Sequence, residues 1–566
     1  MIVVQTVKVG YTTIMGREIT LLFEQVRSIF PFSMLSEDQL RECIRDCDYL
    51  ELLPGTKIFN RGELADKFFF ILDGTVKVSD IKKGLQVINT FLKKDDHFGE
   101  EAIHGSLIRK SSAESIERTR LLTIGHDQLQ RLIKANPLLD AAFSLFYQTS
   151  QVVQKTHLSW LTQKESVQLA CKRHKIIPLL RLLFFNILGL AAFSLILFTA
   201  FSSDPFSIFL MVLAILALLG GFLTSLWAVA EWSNDYFIIT SDRVLVQRQL
   251  YGFFDSRQES PISAILSTGF DTTLVGRLIG FGKVFLRSYT GEISFKYLPY
   301  PQTIFDLLEY QREKVSAYKK VDEKRVIQET LSNRLSGTNE SETRPNRVPS
   351  EVLNEMMIYQ SGSILDWLAR FFQLRQVKGS SVIYRTHWWI LFRKTIFPFI
   401  LLLVLLVGTI FRLVGMFSTI PETVFYTAVL ILTIGVSLWW FYQYADWHND
   451  QYILTKDQIL DVSRKPLGYE DRRSAPVKNI QTVEFKRKGL IGLLLNFGTV
   501  RIQIGNEELT FDNVYSPSQI QGEVYLHLKR YQEEQQRLEG QKLAEWITTY
   551  DDLKKEPGRE NQNQSK

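Results

Sequence analysis

The 566-residue sequence has few of the residues, and none of the motifs, from which disulfide scaffolds, metal centres and common catalytic sites are built. Its three cysteines exclude a disulfide framework. Cys43 and Cys47 lie one helical turn apart, but no second ligand pair accompanies them, which favours small buried apolar residues over a zinc site. The eight histidines are scattered, and His-Glu-x-x-His, Gly-x-Ser-x-Gly, Walker and kinase motifs are absent. We therefore expect no enzyme, no metal and no cofactor.

A strong charge of one sign is also missing. The chain has 66 basic and 60 acidic residues, and no basic stripe is interleaved with aromatic residues, so nucleic acid is not an expected partner. The first 16 residues lack a basic region followed by an apolar core, so no secretory signal peptide is predicted. The length predicts several domains.

A duplicated stretch organises the rest of the chain. Glu231-Trp232-Ser233-Asn234-Asp235 returns as Asp446-Trp447-His448-Asn449-Asp450, and each copy begins where a long apolar run stops and a β-branched, aromatic pattern starts. Further pairs of residues recur at a nearly constant separation: Pro205 with Pro421, Pro261 with Pro476, Phe281-Gly282 with Phe497-Gly498, and Pro301 with Pro517. The pattern predicts a repeated unit, a membrane hairpin followed by a small β-rich module.

Four apolar segments are long enough to span a bilayer as two hairpins, each joined by a polar turn. The segments are 182–201, 206–230, 397–414 and 423–444, with turns at 202–205 and 418–422. Basic residues crowd the entry to the first hairpin and are absent from its turn, so the positive-inside rule places both ends in the cytoplasm. We expect a multi-pass cell-membrane protein with four helices, partnered by the lipid bilayer, whose N-terminus, β-rich modules and C-terminus are cytoplasmic.

The β-rich module, with its Trp-x-Asn-Asp opening, strands, glycine-rich turn and final helix, resembles the bacterial pleckstrin-homology-like (PH-like) family. The resemblance implies a β-sandwich closed by a C-terminal helix, without catalytic residues. Gly276 to Val284 lacks the Gly-Lys-Ser/Thr ending of a phosphate loop, which favours a turn between strands. The two Asn-Asp pairs either cap a helix end or form an ion or headgroup site. The basic clusters Arg472-Arg473 and Lys486-Arg487-Lys488 either contact anionic lipid or face solvent.

A different domain precedes the first repeat. Ser36 followed by Gln39 predicts a helix start, and short strands near 57–59, 68–72, 75–78 and 85–92, separated by glycine turns, predict a β-roll. The stretch Asp96-His97-Phe98-Gly99-Glu100-Glu101-Ala102, followed by Arg109-Lys110-Ser111-Ser112, then resembles the phosphate-binding cassette of the cyclic nucleotide-binding domain family. This resemblance covers about residues 29–150.

The resemblance implies a set of ligand-binding residues, namely Phe98, Gly99, Glu100, Ala102, Arg109, Ser111 and Ser112. Gly99 allows close backbone approach, and amides of a short helix starting near Glu100 would point at phosphate oxygens. Arg109 would neutralise the cyclic phosphate. In the family pattern Glu100 accepts the ribose 2′-hydroxyl, and Ser112 lies near phosphate and base.

Glu101 departs from the family pattern, which has an apolar residue at this position. A carboxylate that pointed into the site would weaken anion binding, because like charges repel at short range. A carboxylate that faced solvent would leave the site intact. A purely structural ion pair between Glu100 and Arg109 is the alternative to ligand binding.

The predicted fold class is a multidomain membrane protein: an N-terminal β-roll with helices, then two repeats of a transmembrane helical hairpin plus a PH-like β-sandwich with a C-terminal helix. The predicted order is an N-terminal segment (1–28), the cyclic nucleotide-binding-like domain (29–150), a lid or connector helix (151–181), hairpin 1 (182–230), PH-like domain 1 (231–319), a linker (320–362), an amphipathic pre-membrane segment (363–396), hairpin 2 (397–445), PH-like domain 2 (446–535) and a charged tail (536–566).

Three functions are compatible with this organisation. The first is a membrane-anchored sensor or scaffold that responds to cyclic AMP or cyclic GMP as a regulatory ligand, possible partners being a second copy or another membrane protein. The second is a structural or interaction protein whose nucleotide site no longer binds ligand. The third, a ligand-gated channel, is disfavoured because the spans lack a filter-like loop and a row of arginines.

Overall fold

A computed structural model of the chain describes residues 16–335 and 364–555, apart from gaps at 46, 83–85, 104–107, 157–159, 162–164, 201–204, 251–252, 289–290, 379–380, 415–420, 467, 469 and 506. The chain divides into two compact units. Unit 1 comprises Met1–Tyr251 and Glu259–Ser316, and unit 2 comprises Gly252–Gln258 and Ala317–Lys566. Each unit contains one of the two predicted hairpins.

The elements up to the end of the first repeat are, in chain order, α1 (Gly16–Arg27), α2 (Glu37–Arg45), β1 (Asp48–Leu52), β2 (Lys57–Phe59), β3 (Lys67–Asp73), β4 (Val76–Lys82), β5 (Gln86–Leu92), β6 (His97–Phe98), β7 (Ser112–Ser115), β8 (Thr119–Gly125), α3 (His126–Ala135), α4 (Pro137–Lys155), β9 (Val167–Lys172), α5 (Ile176–Ala200), α6 (Pro205–Asn234), β10 (Asp235–Thr240), β11 (Arg243–Leu250), β12 (Phe254–Pro261), β13 (Ser267–Asp271), α7 (Leu274–Ile279), β14 (Phe281–Ser288), β15 (Gly291–Pro299) and α8 (Pro301–Leu335).

The elements of the second repeat are α9 (Ile364–Phe371), β16 (Arg375–Lys378), β17 (Ser381–Arg385), α10 (Trp388–Leu413), α11 (Glu422–Asn449), β18 (Gln451–Leu454), β19 (Gln458–Arg464), β20 (Glu470–Pro476), β21 (Ile480–Lys488), α12 (Gly489–Leu494), β22 (Phe497–Ile504), β23 (Glu507–Tyr515) and α13 (Pro517–Lys555).

The N-terminal domain is a β-roll of two four-stranded sheets, with strand orders β1-β8-β3-β6 and β2-β7-β4-β5. Strand β3 is buried on both faces. Phe68 and Phe70 belong to the core beneath the helices, whereas Phe69 and Ile71 belong to the core between the sheets. Because successive residues of a strand point to opposite faces, a continuous apolar run is needed here. The predicted β-roll is confirmed.

The predicted lid or connector helix over 151–181 is wrong between Lys155 and Ile176. Helix α4 ends at Lys155, and the chain then forms strand β9. Both faces of β9 are buried, with Leu169 in the main core of unit 1 and Ala170 in a second cluster against α4. A short strand buried on both faces lacks the alternation that would distinguish it from a helix.

Each hairpin leaves and returns between two neighbouring strands of one sheet. In unit 1, β9 precedes α5 and α6, and it pairs antiparallel with β10, which follows them; Lys172 lies opposite Tyr236. In unit 2, β17 precedes α10 and α11 and pairs with β18, with Arg385 opposite Gln451. The β-rich modules therefore start before their hairpins, and the predicted starts at 231 and 446 are wrong.

The facing sheets of each unit enclose an apolar core. In unit 1 the strands β9, β10 and β11 face the sheet β13-β14-β15, with the Phe237 and Phe295 ring centroids 5.8 Å apart. In unit 2 the sheet β16-β17-β18-β19-β20 faces β21, β22 and β23, with the Tyr452 and Phe511 centroids 4.6 Å apart. Each module is thus a β-sandwich followed by a long helix.

The repeated tryptophan fastens the two ends of each hairpin. The indole Nε1 of Trp232, near the end of α6, donates to the carbonyl of Arg173 at 2.7 Å. The indole of Trp447, near the end of α11, donates to the carbonyl of Thr386 at 2.9 Å. A tryptophan offers a large apolar body and one N–H donor, which suits this position. The duplicated motif therefore has a structural role.

The acidic residues beside each tryptophan are paired with basic residues at the hairpin entry. Glu231 contacts Arg181 at 2.9 Å, and Asp446 contacts Lys394 at 2.7 Å. The Asn234 amide donates to the Ala230 carbonyl at 3.0 Å, as helix-end capping predicts. Asp450 accepts from the hydroxyl of Ser463 at 2.8 Å. These contacts favour the capping interpretation of the Asn-Asp pairs over an ion site.

Two predicted polar segments are helical. Helix α8 continues to Leu335, so 320–335 is not a linker, and α13 continues to Lys555, so 536–555 is not a loose tail. Arg325 pairs with Asp322 at 3.1 Å, one of the i, i+3 contacts that stabilise an exposed helix. Charged composition alone led to the wrong prediction. The rest of the predicted linker and tail, 336–362 and 556–566, lies outside the described residues.

Other predicted features are short regular elements. The described part of the pre-membrane segment 363–396 contains α9 and strands β16 and β17 before α10 begins. The glycine-rich stretch contains the single-turn helix α7 before strand β14. Since Gly276 packs against the carbonyl of Phe281, a turn of helix fits where a simple strand turn was expected.

Four described helices are long and apolar enough to cross a membrane: Ile176–Thr199, Phe206–Asn234, Trp388–Leu413 and Glu422–Asn449. Their apolar side chains are largely exposed, for example Leu190 at 68% and Phe198 at 75%. An apolar surface of this extent in a soluble protein would lead to association. The predicted turns at 202–205 and 418–422 lie outside the described residues except for Pro205, Pro421 and Glu422.

Candidate functional site

The predicted phosphate cassette includes strand β6, and a glycine in the left-handed region follows that strand. Gly99 has φ of +86°, a conformation that side chains disfavour, and the single 3₁₀ turn Glu100–Ala102 follows it. A Cβ atom at Gly99 would lie 2.8 Å from Nη1 of Arg109. The sequence-predicted Gly99, Glu100, Ala102 and Arg109 are therefore close together. His104 to Leu107 of the same stretch lie outside the described residues.

Arg109 is buried, with 1% of its surface exposed. Its Nη1 donates to the carbonyl of Gly99 at 3.2 Å, and its Nη2 donates to the carbonyl of Lys67. The guanidinium carbon lies 4.2 Å from the centre of the Phe59 ring. Nε of Arg109 has no hydrogen-bond partner among the described residues. The cation is thus held from several sides, and its Nε is unpaired among the described residues.

Glu101 points inward and pairs with Arg109. Its Oε2 lies 3.4 Å from Nη1 of Arg109, and its Oε1 accepts from the amide of Lys110 at 3.3 Å. The Glu101 residue is 5% exposed. The guanidinium to which the resemblance assigns a phosphate is therefore contacted by a carboxylate of the chain itself. A Glu100–Arg109 ion pair was the alternative to ligand binding, but Arg109 pairs with Glu101.

Glu100 lies beside a buried histidine. Its Oε1 is 3.6 Å from Nε2 of His97. Burial, and then the neighbouring Glu101 carboxylate, raise the pKa of Glu100 to about 8. Burial lowers the pKa of His97 to about 4, and its ring centroid lies 3.8 Å from that of Phe146. At neutral pH Glu100 is thus largely protonated and can donate as well as accept a hydrogen bond.

The remaining predicted residues surround this cluster. Phe98 stacks on Phe69, with centroids 4.9 Å apart. Ala102 is fully buried. Ser112 begins β7, and its hydroxyl accepts from the amide of Arg61 at 3.0 Å; Ser111 precedes it and is half-buried. The hydroxyl proton of Ser112 is not used in this bond.

Sequence reasoning missed Asp96, which is 5% exposed and directly precedes the cassette strand. Its Oδ1 accepts from Nε2 of Gln168 at 2.8 Å and lies 3.5 Å from Nζ of Lys314. Its Oδ2 accepts from the amide of Lys93 at 3.0 Å. Gln168 is on β9 and Lys314 is on α8, and no local pattern connects such distant positions.

Sequence reasoning also missed Phe59 and the carbonyl of Lys67, which hold Arg109. An aromatic residue in a short strand is common in any core, and a backbone carbonyl carries no sequence signal. Neither could have been found from the residues alone.

Two parts of the chain match models of known protein families. Residues 49–136 match the family model of the cyclic nucleotide-binding domain, and residues 185–314 match that of the bacterial PH domain. The chain therefore carries a cyclic nucleotide-binding domain and one bacterial PH domain. The PH match spans the first hairpin and the strands that follow it, in the first of the two repeats.

Curated relatives align with the first of these domains. The chain is 34% identical over 87 residues to a cAMP-dependent protein kinase regulatory subunit of Yarrowia lipolytica, covering 15% of this chain and 22% of the relative. It is 35% identical over 79 residues to the corresponding subunit of Debaryomyces hansenii, covering 14% and 17%. The chain thus spans less than a quarter of these relatives.

Solved structures align with a similar portion. The sensor domain of the transcriptional regulator DNR from Pseudomonas aeruginosa is 21% identical, with a TM-score of 0.22, and the match covers 24% of this chain and 91% of that one. The regulatory domain of Toxoplasma gondii PKA with cAMP is 19% identical, with a TM-score of 0.21, and covers 26% and 54%.

Proposed function

We propose that this chain is a membrane-anchored, non-enzymatic regulator whose N-terminal domain binds a cyclic nucleotide and passes the change to the first membrane hairpin. The observation that carries the proposal is the hydrogen bond between Asp96 and Gln168. Asp96 directly precedes the cassette, and Gln168 lies on the strand that leads into α5. A ligand that moves the cassette therefore acts on a strand attached to the membrane segment.

The route is short and buried. From Gln168, strand β9 runs to Lys172, and helix α5 begins at Ile176. The hydroxyl of Thr149 on α4 accepts a hydrogen bond from the amide of Ala170 on this strand at 2.9 Å. The helix after the β-roll, which in the family moves over the ligand, is therefore in contact with the same strand. Packed elements of this kind transmit displacements because interiors are dense.

Glu101 acts as an internal competitor in this proposal. A bound phosphate would use the same guanidinium that Glu101 now contacts, so the two anions exclude each other at Arg109. Charge-assisted hydrogen bonds contribute about 1.5–3 kcal/mol. Removing the negative charge from Glu101 should therefore strengthen ligand binding by roughly 10- to 100-fold.

A second candidate is an interaction module that has lost its ligand. The same pair of residues favours it, since Arg109 is 1% exposed and already neutralised by Glu101. Against it stands Nε of Arg109, which has no hydrogen-bond partner among the described residues, because buried donors without partners are rare in stable structures.

The placement in a membrane and the second PH-like module belong to the same proposal. Four apolar helices support insertion, and basic residues at the hairpin entries support cytoplasmic sandwiches. The second sandwich shares three features with the first. Its hairpin is inserted between two paired strands, a tryptophan N–H bonds the chain at the hairpin entry, and a long helix closes the module. Both modules are proposed to lie on the cytoplasmic side.

Calorimetric titration of the full-length protein in detergent with cyclic AMP and cyclic GMP tests the binding step. We expect Glu101→Gln to bind at least one of these ligands more tightly than the natural chain. The double variant Glu101→Gln/Arg109→Gln is the control, since it removes both charges and should not bind. If Glu101→Gln, melting like the natural chain, binds neither nucleotide at millimolar concentration, the interaction-module function replaces the sensor.

The coupling step has a separate test. Gln168→Met removes the bond to Asp96, and Gln130→Met is a matched control that removes a glutamine bond to the carbonyl of Ile103 instead. We expect both variants to bind ligand, and only Gln168→Met to lose any ligand-induced change at a spin label on α5. An unchanged response in Gln168→Met would contradict the proposed route.

A further inference from the structure

Two short helices expose large apolar side chains at equivalent places in the two repeats. On α7, Leu274 is 79% exposed and Leu278 is 88% exposed. On α12, Leu490 is 64% exposed and Leu494 is 77% exposed. Val275 and Ile279 on α7, and Ile491 on α12, extend the same surfaces. Exposed apolar groups of this size in both copies call for a partner.

The leucines cannot simply turn inward, because the glycine side of each helix already packs on the strand that follows. A Cβ atom at Gly276 would lie 2.5 Å from the carbonyl oxygen of Phe281, and one at Gly492 would lie 3.2 Å from that of Phe497. The hydroxyl of Thr273 accepts from the amide of Gly276 at 3.0 Å and fixes the start of α7. The outward direction is built into both copies.

In unit 1, α7 lies next to the start of the first membrane helix. Phe281, two residues after α7, has its ring centroid 5.8 Å from that of His174. The amide of His174 donates to the carbonyl of Tyr297 at 2.6 Å. Helix α5 begins at Ile176, so α7 lies beside the point where the chain enters the proposed bilayer.

In unit 2, α12 has the same neighbour. Phe497 follows α12, and its ring stacks on His387 with centroids 4.9 Å apart. The amide of His387 donates to the carbonyl of Asn513 at 2.7 Å. His387 caps the N-terminus of α10, which begins at Trp388. Two separate units thus bring an exposed apolar helix to the entrance of a membrane hairpin.

One exposed basic residue accompanies each apolar surface. Arg277 is on α7, and Lys488 directly precedes α12. Apolar side chains next to a cation suit the boundary between acyl chains and headgroups, where basic groups meet anionic lipid. Each short helix also lies near the start of a membrane helix whose own apolar side chains are exposed, which favours lipid over a protein partner.

We propose that α7 and α12 insert their leucines into the cytoplasmic interface of an anionic bilayer and hold each sandwich against the membrane surface. This inference rests on the proposed membrane placement of the hairpins. The sandwiches would then lie against the bilayer at two points each, the hairpin and the short helix, and would not swing freely at the hairpin ends.

Spin labels in vesicles of phosphatidylcholine and phosphatidylglycerol test the insertion in the full-length chain. Single cysteines at Leu278→Cys and Leu494→Cys are labelled in a Cys47→Ser background, in which Cys43 and Cys171 are buried. Leu53→Cys is the control, because Leu53 is an equally exposed leucine, 71%, in a turn of the β-roll. Leu190→Cys on α5 reports the hairpin. Collisions with oxygen and with a polar nickel complex measure depth.

We expect the oxygen-to-nickel collision ratio at Leu278→Cys and Leu494→Cys to exceed that at Leu53→Cys severalfold. If Leu190→Cys is deep but both short-helix labels match Leu53→Cys, the interfacial insertion is wrong while the membrane placement survives. If Leu190→Cys is itself in water, the membrane placement fails. Short-helix labels that are shielded from oxygen and nickel alike would mean a protein partner and would also overturn the proposal.

Discussion

Arg243 provides a sharp test of how unit 1 is held together. It is 2% exposed and lies between two buried carboxylates. Its Nη2 contacts Glu165 at 2.8 Å, and its Nη1 contacts Glu259 at 2.9 Å. The guanidinium also lies 5.1 Å from the centre of the Trp160 ring. The Arg243→Met substitution would keep much of the volume and remove the guanidinium that contacts both carboxylates.

Breaking a buried ion pair by removing one partner typically costs about 3–5 kcal/mol, because the remaining charge stays desolvated. For a unit of this size, that loss corresponds to a fall in melting temperature of roughly 6–20 °C. We expect Arg243→Met to reach this range. The assay is thermal unfolding of the full-length protein in detergent, followed by circular dichroism.

The triple variant Glu165→Gln/Arg243→Met/Glu259→Gln is the matched control. Because it removes all three charges together, no carboxylate remains unpaired, and neutral replacements of buried ion pairs are often well tolerated. We expect it to recover most of the lost stability. If Arg243→Met alone melts within about 2 °C of the natural chain, the two carboxylates do not depend on this cation, and the reasoning is refuted.

Three further predictions follow from local geometry. Trp447→Phe should lower the free energy of unfolding by about 1–3 kcal/mol, because it leaves a buried carbonyl without its donor. Trp546→Phe, at a site 72% exposed, should change this free energy little. Chemical denaturation compares the two variants. Gly99→Ala should destabilise more than Gly55→Ala by the same assay, since both glycines have positive φ but only the Gly99 Cβ would meet a neighbour. Folding raises the pKa of Glu100 from 4.5 to about 8, so between these pH values the folded state keeps a proton that the unfolded chain loses. The free energy of unfolding should therefore fall as pH rises from 4.5 to about 8, and Glu100→Gln should flatten this dependence.

Local signals predicted a good part of the fold. Gln39 donates its backbone amide to the Ser36 hydroxyl at 3.5 Å, and its side chain accepts from the Ser36 amide at 3.1 Å, as the capping pattern indicates. The apolar run of β3 and the four membrane-length helices were equally clear from composition. In each case the signal lies within a few residues of the element it specifies.

Strand β9 could not be predicted in this way. It contains the consecutive apolar residues Leu169, Ala170 and Cys171, which are buried on two faces. The sequence therefore shows neither the two-residue period of a half-buried strand nor the 3.6-residue period of a helix. Its pairing partner, β10, follows only after both membrane helices. The prediction ended helix α8 too early for a different reason, because its second half is mostly charged and polar.

The candidate site was likewise predicted only in part from the sequence. The residue types and spacing predicted that Gly99 and Arg109 would lie together, and they do. The direction of Glu101 was left open, because it depends on the 3₁₀ turn that contains it. Successive side chains of such a turn point about 120° apart, so adjacent Glu100 and Glu101 meet different surroundings. Only the tertiary fold decides which carboxylate contacts the arginine.

The threading of each hairpin between two adjacent strands affects how the protein is made. On the ribosome, β9 emerges before α5 and α6, and its hydrogen-bonding edge stays without β10 until both apolar helices have been synthesised. An unprotected strand edge invites pairing with other chains. Each sandwich can therefore close only after its hairpin has been synthesised, and a chain stalled before that point would expose an unpaired strand edge to aggregation.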